Sequence, residues 1–133
     1  MTVFVFFLLM VKHFICDFAL QGRLKQTHDK HKLTSVKGHL HALDHASGTA
    51  FVFLLVSIFM FIKNDTSIFV SVLLFAVLDY IAHFKIDWLK NNFVVANDFK
   101  HSDRAFWILT SIDQILHTLT YLVFVIVFDI YFF

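Results

Sequence analysis

The sequence predicts an all-α integral membrane protein: an up-down bundle of four transmembrane helices with a polar His/Asp site inside it, near the cytoplasmic side. Three observations lead there. Of 133 residues, 59% are hydrophobic and 16% charged, and mean hydropathy is +0.74, a composition far from that of a soluble domain. The apolar residues gather into four segments, each long enough to cross roughly 30 Å of hydrocarbon. The polar residues do not suit that setting: nine His stand against eleven Lys plus Arg, and all ten acidic residues are Asp.

Composition also closes off other classes. A lone cysteine, Cys16, cannot form an internal disulfide, and in its apolar run it behaves as a small hydrophobe. A net charge of +1 gives no reason to expect a nucleic-acid partner. With no Pro and three Gly, flexible linkers and polyproline segments are excluded, so residues 1–133 read as one transmembrane domain.

The first helix is expected over residues 2–21. Its length would suit a signal peptide, but it lacks a basic stretch before the apolar run and a small-residue cleavage site after it, so it reads as a retained span. The second is expected over 35–62 and the third over 66–90. The short turn Lys63-Asn64-Asp65 between them makes these two helices antiparallel neighbours. The fourth, over 104–131, would be roughly 40 Å long at 1.5 Å per residue, so its first turns stand outside the hydrocarbon.

Basic residues set the orientation. Arg23, Lys25, Lys30, Lys32 and Lys37 lie between helices one and two, and Lys90, Lys100 and Arg104 between three and four, against Lys63 alone on the other side. Positive charge stays inside, which places both termini away from the cytoplasm.

Each helix carries one His or Asp pair spaced i, i+4: His13 and Asp17, His41 and His45, His83 and Asp87, Asp113 and His117. Residues four apart lie one turn above each other on one face, so each helix offers a two-ligand blade. The first and third pairs fall near the ends of their helices and the second and fourth near the beginnings. In an up-down bundle all four therefore come to one level. An ionised Asp inside a transmembrane helix costs about 2.5 to 3.5 kcal/mol on insertion scales, and a metal ion removes that penalty. Imidazole and carboxylate donors on facing helices suit one or two divalent ions, zinc first and manganese or iron after it. An interhelical polar network is the alternative use of the same residues.

Around the pairs, Asp44 and Asp79 are the candidate catalytic carboxylates. Asp79 extends the stripe of His83 by one turn, and either residue could instead pair with a Lys. Gln21, Gln114 and Lys90 flank the pairs and could touch a ligand or substrate. His28, His31 and His101 fall in basic loops, and His39 lies outside the second pair.

The segments His13-Phe-Ile-Cys-Asp17-Phe-Ala-Leu-Gln21, Leu40-His41-Ala-Leu-Asp-His45, His83-Phe-Lys-Ile-Asp87-Trp-Leu-Lys90 and Asp113-Gln114-Ile-Leu-His117 resemble the signature of the bacterial and phage membrane proteins grouped as domain-of-unknown-function family 3307. The resemblance spans nearly the whole chain and implies the fold and the ligands. Lys85 departs from the apolar residue expected at its place in the third segment. More loosely, the chain is similar to the LexA-regulated membrane-bound metal-dependent hydrolases, and that likeness alone implies hydrolysis over metal binding in general.

The expectation is therefore a metal-dependent hydrolase acting by activated water on a lipid or lipid-linked ester or phosphoester. Membrane lipids are the expected partners, and a homo-oligomer is compatible with the sequence. No Gly-x-Ser-x-Gly elbow or Cys-His arrangement supports a covalent route. The rivals are a non-enzymatic metal-binding membrane protein and a di-iron or haem redox protein.

Overall fold

A computed structural model describes residues 2–20, 29–59 and 66–132, and among these residues it is helical with short connections. The first rod is an α-helix, α1 (Thr2–Phe14), continued by a π-helical turn (Ile15–Leu20). Then come α2 (Val36–Phe59), α3 (Thr66–Ala96) and α4 (Arg104–Phe132). Each rod is long and apolar enough to cross a membrane. Helix α1 packs against α2 and α4, α2 most extensively against α3, and α3 against α4, which closes the ring of an up-down bundle.

Two helix ends differ from the expected ones. The first rod does not stay α-helical to its end, because its last turn widens to π geometry around Asp17. Helix α3 runs six residues past Lys90, to Ala96. Asn91 and Asn92 fold their amides back onto the carbonyls of Asp87 (2.7 Å) and Trp88 (2.9 Å), and the helix continues through them. It stops at left-handed Asp98 (φ 52°), where Phe99 N donates to Val94 O at 3.0 Å and Asp98 N to Val95 O at 3.2 Å, the double closure of a Schellman end. Helix α2 is described to Phe59, and the expected turn Lys63-Asn64-Asp65 lies outside the described residues. At its start, Ser35 Oγ accepts the amide of Gly38 at 3.1 Å and caps the helix.

The interior has an apolar half and a polar half. Val5 and Leu9, Val52, Phe53 and Val56, Val72 and Phe75, and Phe124, Val125 and Phe128 fill the half made by the start of α1, the end of α2, the start of α3 and the end of α4. Phe53 is central there, its ring 4.6 Å from Phe75 and 4.8 Å from Phe128. Large apolar side chains such as Phe4, Phe7, Phe51, Leu73 and Val123 point outward, the reverse of a soluble bundle and the arrangement a lipid solvent favours. The other half is polar within, and its open end carries the basic connection described from Asp29 onward. There Lys32 hydrogen-bonds the exposed Asp29 and holds its carboxyl below the ordinary value.

Candidate metal centre

The four i, i+4 pairs meet inside the polar half. His13, His41, His45, His83, His117, Asp87 and Asp113 are all buried, and Asp17 is nearly so. Lys85, whose place in the third motif was unexpected, turns outward over the ring of Trp88, while His83 and Asp87 face in.

Two donor groups form. In the first, Asp17 Oδ1 lies 3.1 Å from His41 Nε2, 3.1 Å from His45 Nε2 and 4.0 Å from His83 Nε2, and the Nε2 atoms of His41 and His83 are 3.1 Å apart. Donors around a tetrahedral zinc at 2.0–2.1 Å are separated by about 3.3 Å, so these spacings fit a single divalent ion. In the second group, Asp87 Oδ2 is 3.8 Å from His83 Nε2 and Asp87 Oδ1 is 3.7 Å from His117 Nε2. His83 belongs to both groups.

His13 and Asp113 stand beside these groups. His13 Nε2 is 3.2 Å from Asp17 Oδ2 and 3.2 Å from Gln114 Oε1. Asp113 Oδ1 is 3.7 Å from His117 Nε2, and Asp113 Oδ2 is 3.7 Å from Lys90 Nζ. Gln114 Nε2 donates to Asp17 Oδ2 at 3.2 Å and to Asp113 Oδ2 at 3.3 Å. Gln21 lies outside the described residues. His39 is held away from the cluster, between Tyr80 Oη at 2.7 Å and Leu33 O at 2.9 Å.

Several buried polar atoms lack a hydrogen-bond partner among the described residues: Nδ1 of His41, Nδ1 of His83, Oδ1 of Asp113 and Nε2 of His117. Unpaired polar atoms of this kind are costly in a dry interior. His117 Nε2 and Asp113 Oδ1 face the donor groups, whereas the two Nδ1 atoms lie on the ring edges opposite the convergent Nε2 atoms.

One turn further into the bundle lies a second polar layer. Lys12 Nζ donates to Asp79 Oδ2 at 2.8 Å and to Tyr121 Oη at 2.9 Å, and Thr49 Oγ1 donates to Asp79 Oδ2 at 2.6 Å. Thr49 continues the stripe of His45, Asp79 that of His83 and Tyr121 that of His117, each by four residues. Tyr121 Oη also reaches His13 Nδ1 at 3.3 Å and His45 Nδ1 at 3.4 Å, which joins the two layers. Asp79 is thus engaged by a lysine, whereas Asp44 is half-buried on the wall of a roughly 520 Å³ groove between α1 and α2 that Lys12 and Cys16 also line.

On the open side, Lys30 folds in and its Nζ sits 2.5 Å from Asp87 Oδ2, with 7% of its side chain exposed. Sequence reasoning missed Lys12, Lys30, Thr49 and Tyr121 as parts of the site. Extending the stripes by one more turn would have found Thr49 and Tyr121, and a lysine inside an apolar run marks Lys12. Nothing local marks Lys30.

Fold and site define a small polytopic helical membrane protein with a buried His/Asp centre of metal-ligating composition. The chain belongs to the family described as protein of unknown function (DUF3307), whose model matches residues 5–132. No curated protein and no solved structure matches it.

Proposed function

We propose that this protein is a metal-dependent hydrolase embedded in the bacterial inner membrane, its site near the cytoplasmic face and both termini on the opposite side. The observation that carries the reading is the convergence of Asp17 Oδ1 with the Nε2 atoms of His41, His45 and His83 at spacings down to 3.1 Å. These four residues would hold one divalent ion, zinc first and manganese or iron after it. The Nε2 of His83 has one lone pair and serves one ion, and Asp87 is already engaged by Lys30. One ion is therefore favoured over two.

Bound there, a divalent ion supplies Lewis acidity and brings the pKa of water toward 7. His117 Nε2 and Asp113 Oδ1, unpaired and 3.7 Å apart, are the groups placed to take a proton. Charge supports the same reading. In the polar layers the carboxylates of Asp17, Asp79, Asp87 and Asp113 face the ammonium groups of Lys12, Lys30 and Lys90, which leaves one negative charge. One divalent ion reverses that sign and calls for an anionic partner. A site inside the bundle, rimmed by the partly exposed Lys90, suits a lipid or lipid-linked ester or phosphoester.

A non-enzymatic metal site is the second reading. One observation favours it: four protein donors can complete a tetrahedral shell, the closed arrangement of structural zinc. Elemental analysis of the detergent-purified protein beside a His41→Ala, His45→Ala variant tests the metal. Stoichiometric metal in the wild type and its loss in the variant are expected, and equal metal in both overturns the site. Incubation of lipid extracts with protein and zinc or manganese then tests hydrolysis. A consumed ester or phosphoester is expected, and no turnover of any class leaves the second reading. A visible absorption band in the purified protein would instead indicate iron redox chemistry.

A further inference from the structure

We propose that His13, although buried against the cluster, is not a metal ligand but a positioning residue held as its Nε2–H tautomer by Gln114, and that Tyr121 serves the opposite tautomer of His45 once an ion is bound. The ion in this inference rests on the metal-binding part of the reading above; the placement of the His13 proton does not.

Two groups at the ends of the network fix the direction of the hydrogen bonds between them. The Gln114 amide is oriented by two carboxylates, which only accept: its Nε2 faces Asp17 Oδ2 and Asp113 Oδ2 at 3.2 and 3.3 Å. Gln114 Oε1 is therefore the atom that faces His13 Nε2 at 3.2 Å, and it can only accept, so the N–H of neutral His13 is on Nε2. At the other end, the Lys12 ammonium can only donate, and it donates to Tyr121 Oη at 2.9 Å.

The remaining protons follow. His13 Nδ1 is a bare lone pair 3.3 Å from Tyr121 Oη, so the phenol's single proton goes to it. One lone pair of the phenol accepts from Lys12, and the other faces His45 Nδ1 at 3.4 Å. His45 Nε2 lies 3.1 Å from Asp17 Oδ1, which only accepts, so without an ion the N–H of His45 belongs on Nε2. An ion that takes the Nε2 lone pair moves the N–H to Nδ1, where the phenol's free lone pair accepts it. His13 does the opposite work. Its Nε2–H, also 3.2 Å from Asp17 Oδ2, holds one carboxylate oxygen so that the other faces His41 and His45.

The test compares zinc binding, measured by chelator competition, in wild type, His13→Gln, His45→Gln and Tyr121→Phe, with helical content checked in each. His13→Gln and Tyr121→Phe are expected to keep one zinc per chain with affinity about 10- to 100-fold weaker, and His45→Gln to lose it. Nitrogen NMR of metal-free protein with ¹⁵N-labelled histidine in bilayers gives the second readout. It is expected to show His13 protonated at Nε2 in wild type and in Tyr121→Phe alike, because Gln114 Oε1 and Asp17 Oδ2 still face that nitrogen. Loss of zinc from His13→Gln as complete as from His45→Gln, or a proton on His13 Nδ1, overturns the proposal. A wild type that takes up no zinc defeats the metal site and, with it, the roles assigned at an ion, while the His13 signature still decides the proton placement.

Discussion

The stem of Lys12 crosses α2 directly over Gly48: a Cβ at position 48 would lie 2.6 Å from Lys12 Cγ and 2.8 Å from Lys12 Cδ. The glycine is the passage through which a lysine on α1 reaches Asp79 on α3. Because the clash involves the middle of the stem and not its tip, and the tip is held by Asp79 and Tyr121, Lys12 cannot simply swing aside. Gly48→Ala should destabilise the bundle by about 1–3 kcal/mol, the usual range for overpacking, read as a lower melting temperature in detergent. Unchanged stability would mean that the lysine has another route.

Lys12 and Asp79 form a buried ion pair 2.8 Å long, with side-chain exposures of 7% and 1%. Removing one partner strands the other charge. Lys12→Met alone should cost about 3–5 kcal/mol, and the double variant Lys12→Met, Asp79→Leu should recover much of it. A double-mutant cycle on thermal unfolding measures the coupling, and additive losses would show that the pair does not act as a unit.

An ion that binds only the folded bundle raises its stability by mass action. Zinc at about 100 times its dissociation constant should add about 2.7 kcal/mol, and a chelator should reverse the gain. The gain should vanish in His45→Ala, since His45 Nε2 lies 3.1 Å from Asp17 Oδ1 in the first donor group. Zinc that stabilises wild type and variant equally is binding elsewhere.

Lys30 sits on Asp87 where a second cation would have to sit. In Lys30→Met the carboxylate loses that ammonium, and zinc per chain should rise from one toward two in elemental analysis, the second ion held by Asp87, His117 and Asp113 while His83 stays with the first. A count that stays at one would assign Lys30 a purely structural role.

The ligand layer was legible because two regular periods coincide. Spacing of four puts His41 and His45, or His83 and Asp87, on one helical face, and alternating helix direction brings the pairs to one level. The layer beneath was legible only in part. Asp79 was visible as a stripe residue, and its pairing with a lysine was one of two uses open to it. Lys12 sits one residue off the His13 stripe, and only the approach of α2 at Gly48 decides where it goes. Lys30 was read as one of several loop cations that set orientation. Its burial on Asp87 joins residues 57 apart in sequence, which no local pattern encodes. Hydropathy could place the first helix but not its π turn, since an apolar run looks the same in α and π geometry.

That turn changes what length means in this protein. A π turn closes its hydrogen bonds over five residues where an α-helix uses four, so Ile15–Leu20 advances less along the helix axis than six α-helical residues would. The segment works as slack in the backbone. A residue removed after Asp17, within Phe18–Leu20, could be absorbed by tightening to α geometry while His13 and Asp17 keep their places, so the bundle can adjust its entry into the basic connection without retuning the donors.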